Sequence, residues 1–456
     1  MTPRLRKGQT ARKPASRPVD PRGLVYTWTL EDGGVARARA IRSIVRLRNL
    51  ATDPCGQVVA LSGRFVVVHN AGLLNQPDPA TGQAVATPLG DAVPNQEGHF
   101  LFDPGRGGGR VDRVSIADDG FRGRYVQAAR FGEVNVYHHV DRIAEYIAGL
   151  LQELGARELP RVTAIVNAHH GAVVDAGSDD GSRDGVHRID GRWVPFQGGH
   201  YRLPGPATII PERFPISPNG EIHLGPGQQL TRQGALARSV GGAYRANASH
   251  NPGIIYHEYG HHITSHTADF RANDLRRRDR QSNKKTAIDE GTADYWAAAL
   301  LGTPHIWFFH HPHDGVTVHP RSLTSDATMR SFARGPGADV HANGTIWAAA
   351  LWEIRSRVVA VVPEGAAAAD RLVLQALLLM GELAEKPIRE SLEPSPVTVG
   401  RLRRSFRGAA RALLEADRIL YHGRLRDVIT TALGRREIDP EISRGQSTNR
   451  GVAVPS

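Results

Sequence analysis

The residues with the clearest chemical content are His257, Glu258 and His261, in the run IIYHEYGHHI. Positions i and i+4 of a helix lie one turn apart on one face, so two imidazoles at this spacing can share one tetrahedral metal ion. Glu258 lies beside that face and can reach a water at the metal without binding the metal itself. The chemistry this permits is metal-assisted hydrolysis, with Glu258 as the general base. Chance supplies such a pattern on the order of 0.05 times in a chain of this length and composition. The competing reading is therefore a surface helix with incidental histidines. Against it, Asn251-Pro252 forms a good helix start, and Ile254, Ile255 and Ile263 flank the motif as in a buried helix.

A catalytic zinc site usually has three protein ligands and one open position. A third histidine downstream on the same segment would need glycine and histidine where Thr264 and Thr267 stand. An aspartate-ligand pattern fits Gly291-Thr292-Ala293-Asp294, but its Tyr-Gly continuation falls on Ala297-Ala298. The better candidate is Glu290, in AIDEGTADYWAAAL, with Asp294 one turn later on the same face. Glu290 would bind the metal. Asp294 would accept the free ring N–H of a ligand histidine and fix its orientation. The alternative for this pair is a solvated acidic face near a helix start.

Periodicity places these residues on helices. The zinc helices are expected at 252–267 and 287–301, the second stopped by Gly302. An earlier helix should run from about Val134 to Gly155, and later ones at about 343–361, 366–383, 399–420 and 425–436. Upstream, Leu24–Leu30, Gln57–Val68, His99–Phe102, Arg161–Asn167 and Glu221–Leu224 read as strands. The domain reading is a basic tail over 1–23, a β-rich region over 24–126, a catalytic domain over 127–437 and a second tail over 438–456.

With these pieces in order, the sequence resembles the thermolysin-like gluzincins, and most closely the fungalysin family of zinc metallopeptidases. HEYGHH followed by DEGTADYWAA resembles the family's two metal-binding helices. DVHANGTIWAAALWEIR resembles the third catalytic segment, and NVYHHVDRIAEYIAGLLQELG and SPVTVGRLRRSFRGAARALLEADRILYHG resemble the early and closing helices. The resemblance implies an α+β, two-lobed peptidase: a mixed sheet with the active-site helix, then a mainly helical C-terminal lobe, preceded here by the β-rich N-terminal region. It implies a metallo-endopeptidase with one catalytic Zn2+, a metal-activated water and a peptide or protein substrate, and it allows Ca2+. By similarity His341 would hydrogen-bond the oxyanion, and Arg321, in HPRSLTSD, would grip a substrate carbonyl. The strand Glu221, Ile222 and His223 would be the edge along which substrate lies. The sequence departs from the family's pattern in places: the position of its oxyanion tyrosine holds Gln281, and that of the aspartate orienting the catalytic histidine holds Pro336, with Asp339 closer. The Asn-Ala pair preceding the substrate strand is not evident.

Composition bounds the alternatives. The net charge of +11 comes almost entirely from arginine spread along the chain, which reads as arginine-rich coding and not as a nucleic-acid patch. The run Arg276–Arg280 reads as a solvated loop. Five histidines between His305 and His319 read as a polar loop beside the cleft. No apolar run approaches membrane-span length. The single cysteine, Cys55, rules out an intrachain disulfide. The first 23 residues lack a secretory h-region, which favours the cytosol, whereas the family resemblance favours an extracellular protein. A monomer is the default. Two other readings remain: a catalytically weak or inactive peptidase fold that serves as a binding module, and a basic nucleic-acid-binding protein with an incidental motif.

Overall fold

The structure is a computed structural model that describes residues 20–31, 37–77, 84–104, 119–170, 188–189, 192–195, 198–203, 217–225, 247–268, 270, 282–306, 321–335, 337–385 and 406–440. The expectations for Gln281, Pro336, Arg276–Arg280, His310, His311, His313, His319 and most of both tails fall outside these residues. No helix among the described residues is long and apolar enough to cross a membrane.

The chain opens with a hairpin of β1 (Arg22–Glu31) and β2 (Arg37–Arg46), paired antiparallel from Arg22↔Arg46 to Glu31↔Arg37. Strand β1 therefore begins inside the stretch expected to be tail. Strand β2 was not anticipated, because RARAIRSIVR offers charge where a strand pattern calls for an apolar face. Of the expected strand Gln57–Val68, only its end is extended, as β3 (Val66–Asn70); bends and the isolated bridges Leu50↔Gly63 and Ser62↔Val67 occupy the rest. His99–Phe102 contributes a single bridge, Phe100 to Gly23. A second hairpin joins β4 (Leu73–Pro77) and β5 (Ala84–Pro88). Helix α1 (Asp119–Glu153) begins well before Val134 and ends, as its glycine predicts, at Gly155 in the left-handed region (φ 64°).

Next come β6 (Val162–Val166), the short strands β7 (His169–His170), β8 (Arg188–Ile189) and β9 (Arg192–Pro195), then β10 (Gly199–Arg202) and β11 (Glu221–Leu224). The central sheet has the order β10-β11-β6-β3, with β11 and β3 parallel to β6 and β10 antiparallel to β11. Strand β3 thus ties the N-terminal region into the sheet beside the metal-motif helix. Strand β11, expected at an edge, is interior.

The rest is helical: α2 (Pro252–Thr267), α3 (Asn283–Leu301), α4 (Val340–Val358), α5 (Ala366–Glu385), α6 (Phe406–Tyr421) and α7 (Arg426–Arg435). Helix α2 starts where the sequence requires. The Asn251 side chain accepts from Gly253 N (2.9 Å) and Ile254 N (3.4 Å), with Pro252 in the first turn. Such a cap contributes about 1 kcal/mol. Helix α3 begins four residues earlier than expected and ends at Gly302 (φ 73°).

Helices α2 and α3 are buried on nearly every side, so their register is set by packing. Ile254, Ile255, Tyr256 and Ile263 of α2 and Tyr295 and Trp296 of α3 lie in the core. Each such side chain contributes roughly 1.5–3 kcal/mol through burial. Two polar anchors add direction. His139 of α1 donates from Nε2 to Tyr26 O (2.9 Å) and accepts at Nδ1 from Tyr256 Oη of α2 (2.8 Å). Trp28 Nε1 donates to Leu301 O (2.9 Å), closing the end of α3 against β1. The approach of α3 to α2 depends on Gly260. A Cβ there would stand 2.5 Å from Ala293 Cα, so only glycine lets the two backbones come this near.

Candidate active site

Helix α2 presents His257 and His261 toward α3, and α3 answers with Glu290. His257 Nε2 and His261 Nε2 lie 3.2 Å apart, and Glu290 Oε2 is 3.3 Å from the first and 3.8 Å from the second. Among the described residues this is the one group of histidine and acidic side chains whose donor atoms gather closely enough to hold a metal ion. Ligands about 2.0–2.1 Å from a tetrahedral zinc stand roughly 3.3–3.4 Å from one another, close to the spacing seen here.

The tautomers follow from what lies behind each ring. His257 Nδ1 is 2.7 Å from Asp294 Oδ1, and His261 Nδ1 is 3.1 Å from Asp289 Oδ2. A carboxylate only accepts, so each Nδ1 carries its hydrogen and donates. In the neutral rings each Nε2 then turns a lone pair toward the other and toward Glu290 Oε2. Glu290 Oε2 is buried and accepts no hydrogen bond among the described residues. Three electron-rich atoms so placed repel one another unless protons or a metal ion sit among them. The set of two imidazole nitrogens and one carboxylate oxygen suits zinc.

The electrostatics agree. Burial works against charge on His261, but Asp289, Glu290 and Glu258 outweigh it and hold its pKa well above the ordinary value. His257 is raised in the same way by Asp294 and Glu290 against burial. Burial also opposes charge on Glu290, yet the surrounding imidazoles hold it well below the carboxylate range. The acidic side chains around the two imidazoles thus favour positive charge between them.

Glu258 is buried beside this centre, and burial pushes its carboxyl up. It sits against the backbone of β10: a Cβ built on Gly199 would lie 2.6 Å from Glu258 Oε1. His341, in the first turn of α4, stands half exposed at the mouth with Nε2 3.4 Å from Glu290 Oε2. Asp339 caps that helix by accepting from His341 N and Ala342 N, and its Oδ1 lies 3.4 Å from His341 Nδ1. This contact with His341 holds Asp339 well below the usual carboxylate range. Asp339 thus lies directly behind the His341 ring. Arg321 donates from Nε to Asp294 Oδ2 (2.7 Å) and brings Nη2 to 3.5 Å from Glu290 Oε2.

The structure therefore gathers His257, Glu258, His261, Glu290, Asp294, Arg321 and His341 in one place. It does not bring Glu221, Ile222 and His223 there as a substrate edge. Strand β11 is hydrogen-bonded to β10 on one side and β6 on the other, so its backbone has no edge to offer. Glu221 instead pairs with His223 (2.7 Å) and accepts from Ser217 N (2.7 Å). Among the described residues the sheet runs from β10 to β3, and Gly199 and Tyr201 of β10 meet Glu258 and His262 of α2. His262 and His266 lie off the ligand face and meet backbone carbonyls. His262 donates to Pro160 O (2.9 Å) and meets Tyr201 Oη (3.0 Å), and burial lowers its pKa to about 3. Sequence reasoning missed Asp289, β10 and Gly199. Asp289 had a signal, an acid directly beside the proposed ligand. A strand of Gly-His-Tyr-Arg between two loops had none.

The comparisons agree with this geometry. Residues 241–441, which span α2 to α7, match the fungalysin metallopeptidase (M36) family. No curated protein matches the chain significantly. Over residues 241–441 the chain is similar to the fungalysin family, and this likeness marks it as a zinc-dependent metallopeptidase.

Proposed function

We propose that the chain is a zinc metallo-endopeptidase in which His257, His261 and Glu290 hold the ion and Glu258 is the general base. The observation that carries this is the meeting of three lone-pair atoms, two from α2 and one from α3, with each imidazole backed by a carboxylate. When bound there, zinc would polarise the scissile carbonyl and bring the pKa of a water toward about 7. Glu258 would take that water's proton and pass it to the leaving nitrogen. Its burial favours the protonated form and so helps it carry the proton between the two steps. His341 would donate from Nε2 to the oxyanion, with Asp339 steadying the other ring nitrogen. Arg321, locked by Asp294 beside the ligand carboxylate, would meet a substrate carbonyl. Substrate would lie beside β10, the strand that approaches the base most closely.

In this reading β3 and α1 belong to the catalytic unit, because β3 completes the central sheet. The sheet with α1 and α2 forms one lobe, α3 to α7 the other, and the site lies where α2 meets α3.

The test is Glu258→Gln. The variant should bind zinc as the wild type does and lose about 10²–10⁴-fold in turnover of casein or a peptide library. Equal cleavage by the variant would remove Glu258 from its role. Zinc binding by a wild type that cleaves nothing would leave a binding module.

A further inference from the structure

We propose that Asp289, held by Thr264, is a positioning residue that strengthens His261 as a zinc ligand. This rests on the metal-site reading above.

Helix α3 supplies more than the ligand Glu290. It carries a carboxylate for each imidazole of α2: Asp294, one turn after Glu290, for His257, and Asp289, the residue before it, for His261. The two are not equivalent. Asp294 also accepts from Arg321 Nε (2.7 Å), so its charge is shared with a guanidinium. Asp289 meets a neutral partner instead. The Thr264 hydroxyl donates to Asp289 Oδ1, leaving Oδ2 for His261 Nδ1 at 3.1 Å. Asp289 is buried, 6% exposed, so solvent screens its charge little. Thr264 lies three residues after His261 on α2, so the relay leaves the zinc helix, turns at Asp289 and returns to the same helix. The arrangement fixes the tautomer and tilt of His261. It also places an uncompensated negative charge behind the ring, which makes Nε2 the more electron-rich donor of the two.

Asparagine is a clean probe because the site can hold it. Its amide oxygen can accept from His261 Nδ1. Its amide nitrogen can donate to Thr264 Oγ1, whose own hydrogen can turn to His261 O, already 3.1 Å away. Asp289→Asn therefore removes charge while keeping the hydrogen-bond count.

Zinc affinity is measured by competition with a chromophoric chelator on the full chain, with thermal melting of the metal-free protein alongside. Asp289→Asn should bind zinc about 10–100-fold more weakly than the wild type. The melting temperature without metal should stay close to the wild-type value. Thr264→Val should show a smaller loss, and adding it to Asp289→Asn should cost little more, since both act through one carboxylate. Zinc affinity within twofold of wild type in Asp289→Asn overturns the proposal. If Asp289→Asn does not fold, Thr264→Val decides, and wild-type affinity there overturns it. A wild type that binds no zinc would instead sink the metal-site reading beneath it.

Discussion

The contact between Gly199 and Glu258 gives a prediction whose size can be worked from the structure. A methyl group at position 199 would lie 2.6 Å from Glu258 Oε1, 2.7 Å from its Cγ and 2.9 Å from its Cδ. Ordinary van der Waals contact begins at 3.4 Å, so one partner must retreat by roughly 0.5–0.8 Å. The carboxylate oxygen alone cannot absorb this, because Cγ is equally close. Either the base leaves its place beside the metal centre or β10 moves outward, and β10 is the strand beside which substrate is proposed to lie. Misplacement of about 1 Å at a reacting centre can cost about 10²-fold. Gly199→Ala should therefore lower kcat/KM by about 10–100-fold, or about 1.4–2.7 kcal/mol of transition-state stabilisation. The ligands His257, His261 and Glu290 are not touched, so zinc content should stay at one per chain. The assay is kcat/KM on an internally quenched peptide, with elemental analysis of the same preparation. A variant within twofold of wild type would refute the placement of the base, and a variant that loses its zinc would refute its independence from the metal.

Two further predictions concern packing and pH. Gly260→Ala puts a methyl group 2.5 Å from Ala293 Cα, a backbone atom that cannot step aside. It should push α3 from α2, cost roughly 1–3 kcal/mol of stability and weaken zinc binding; a wild-type melting temperature with full zinc would contradict this. Glu133, buried on α1 where it accepts from Asn70 Nδ2 and Ala92 N, is pushed up by burial to about 8 from 4.5. Between those values the folded chain keeps a proton that the unfolded chain has released, so stability falls as pH rises and levels off above about 8. Asp141, raised by burial to about 6, acts in the same direction at lower pH, and His138, lowered by burial to about 4, acts in the opposite direction below 6.5. Glu133→Gln should therefore flatten the slope of stability between pH 7 and 8 in urea titrations of the metal-free protein, and identical slopes would reject the assignment.

The helices that carry the chemistry were legible because their signals are local. Asn251-Pro252 opens α2 as a cap must, Gly302 closes α3 and Gly155 closes α1. The strands were less legible. Strand β2 places arginines on an exposed hairpin, and β3 is only the last part of a longer apolar run cut by Gly63. Neither pattern separates strand from loop, because what fixes them is pairing with residues far along the chain: β1 for β2, and β6 for β3.

The same division runs through the site. Spacing along one helix is a property of the sequence, so His257, Glu258 and His261 could be read directly, and Glu290 and Asp294 followed from one turn of the next helix. Whether a strand is an edge depends on which partners lie to either side. Hence β11, a good strand in sequence, is interior, and among the described strands it is β10 that lies outermost beside Glu258. The role of Asp289 was hidden for the same reason: its identity is written in the chain, but its function depends on the distance to His261 and Thr264. Local backbone geometry sets the first kind of fact within a few residues. The packing of α3 on α2 sets the second, and only the folded chain contains it.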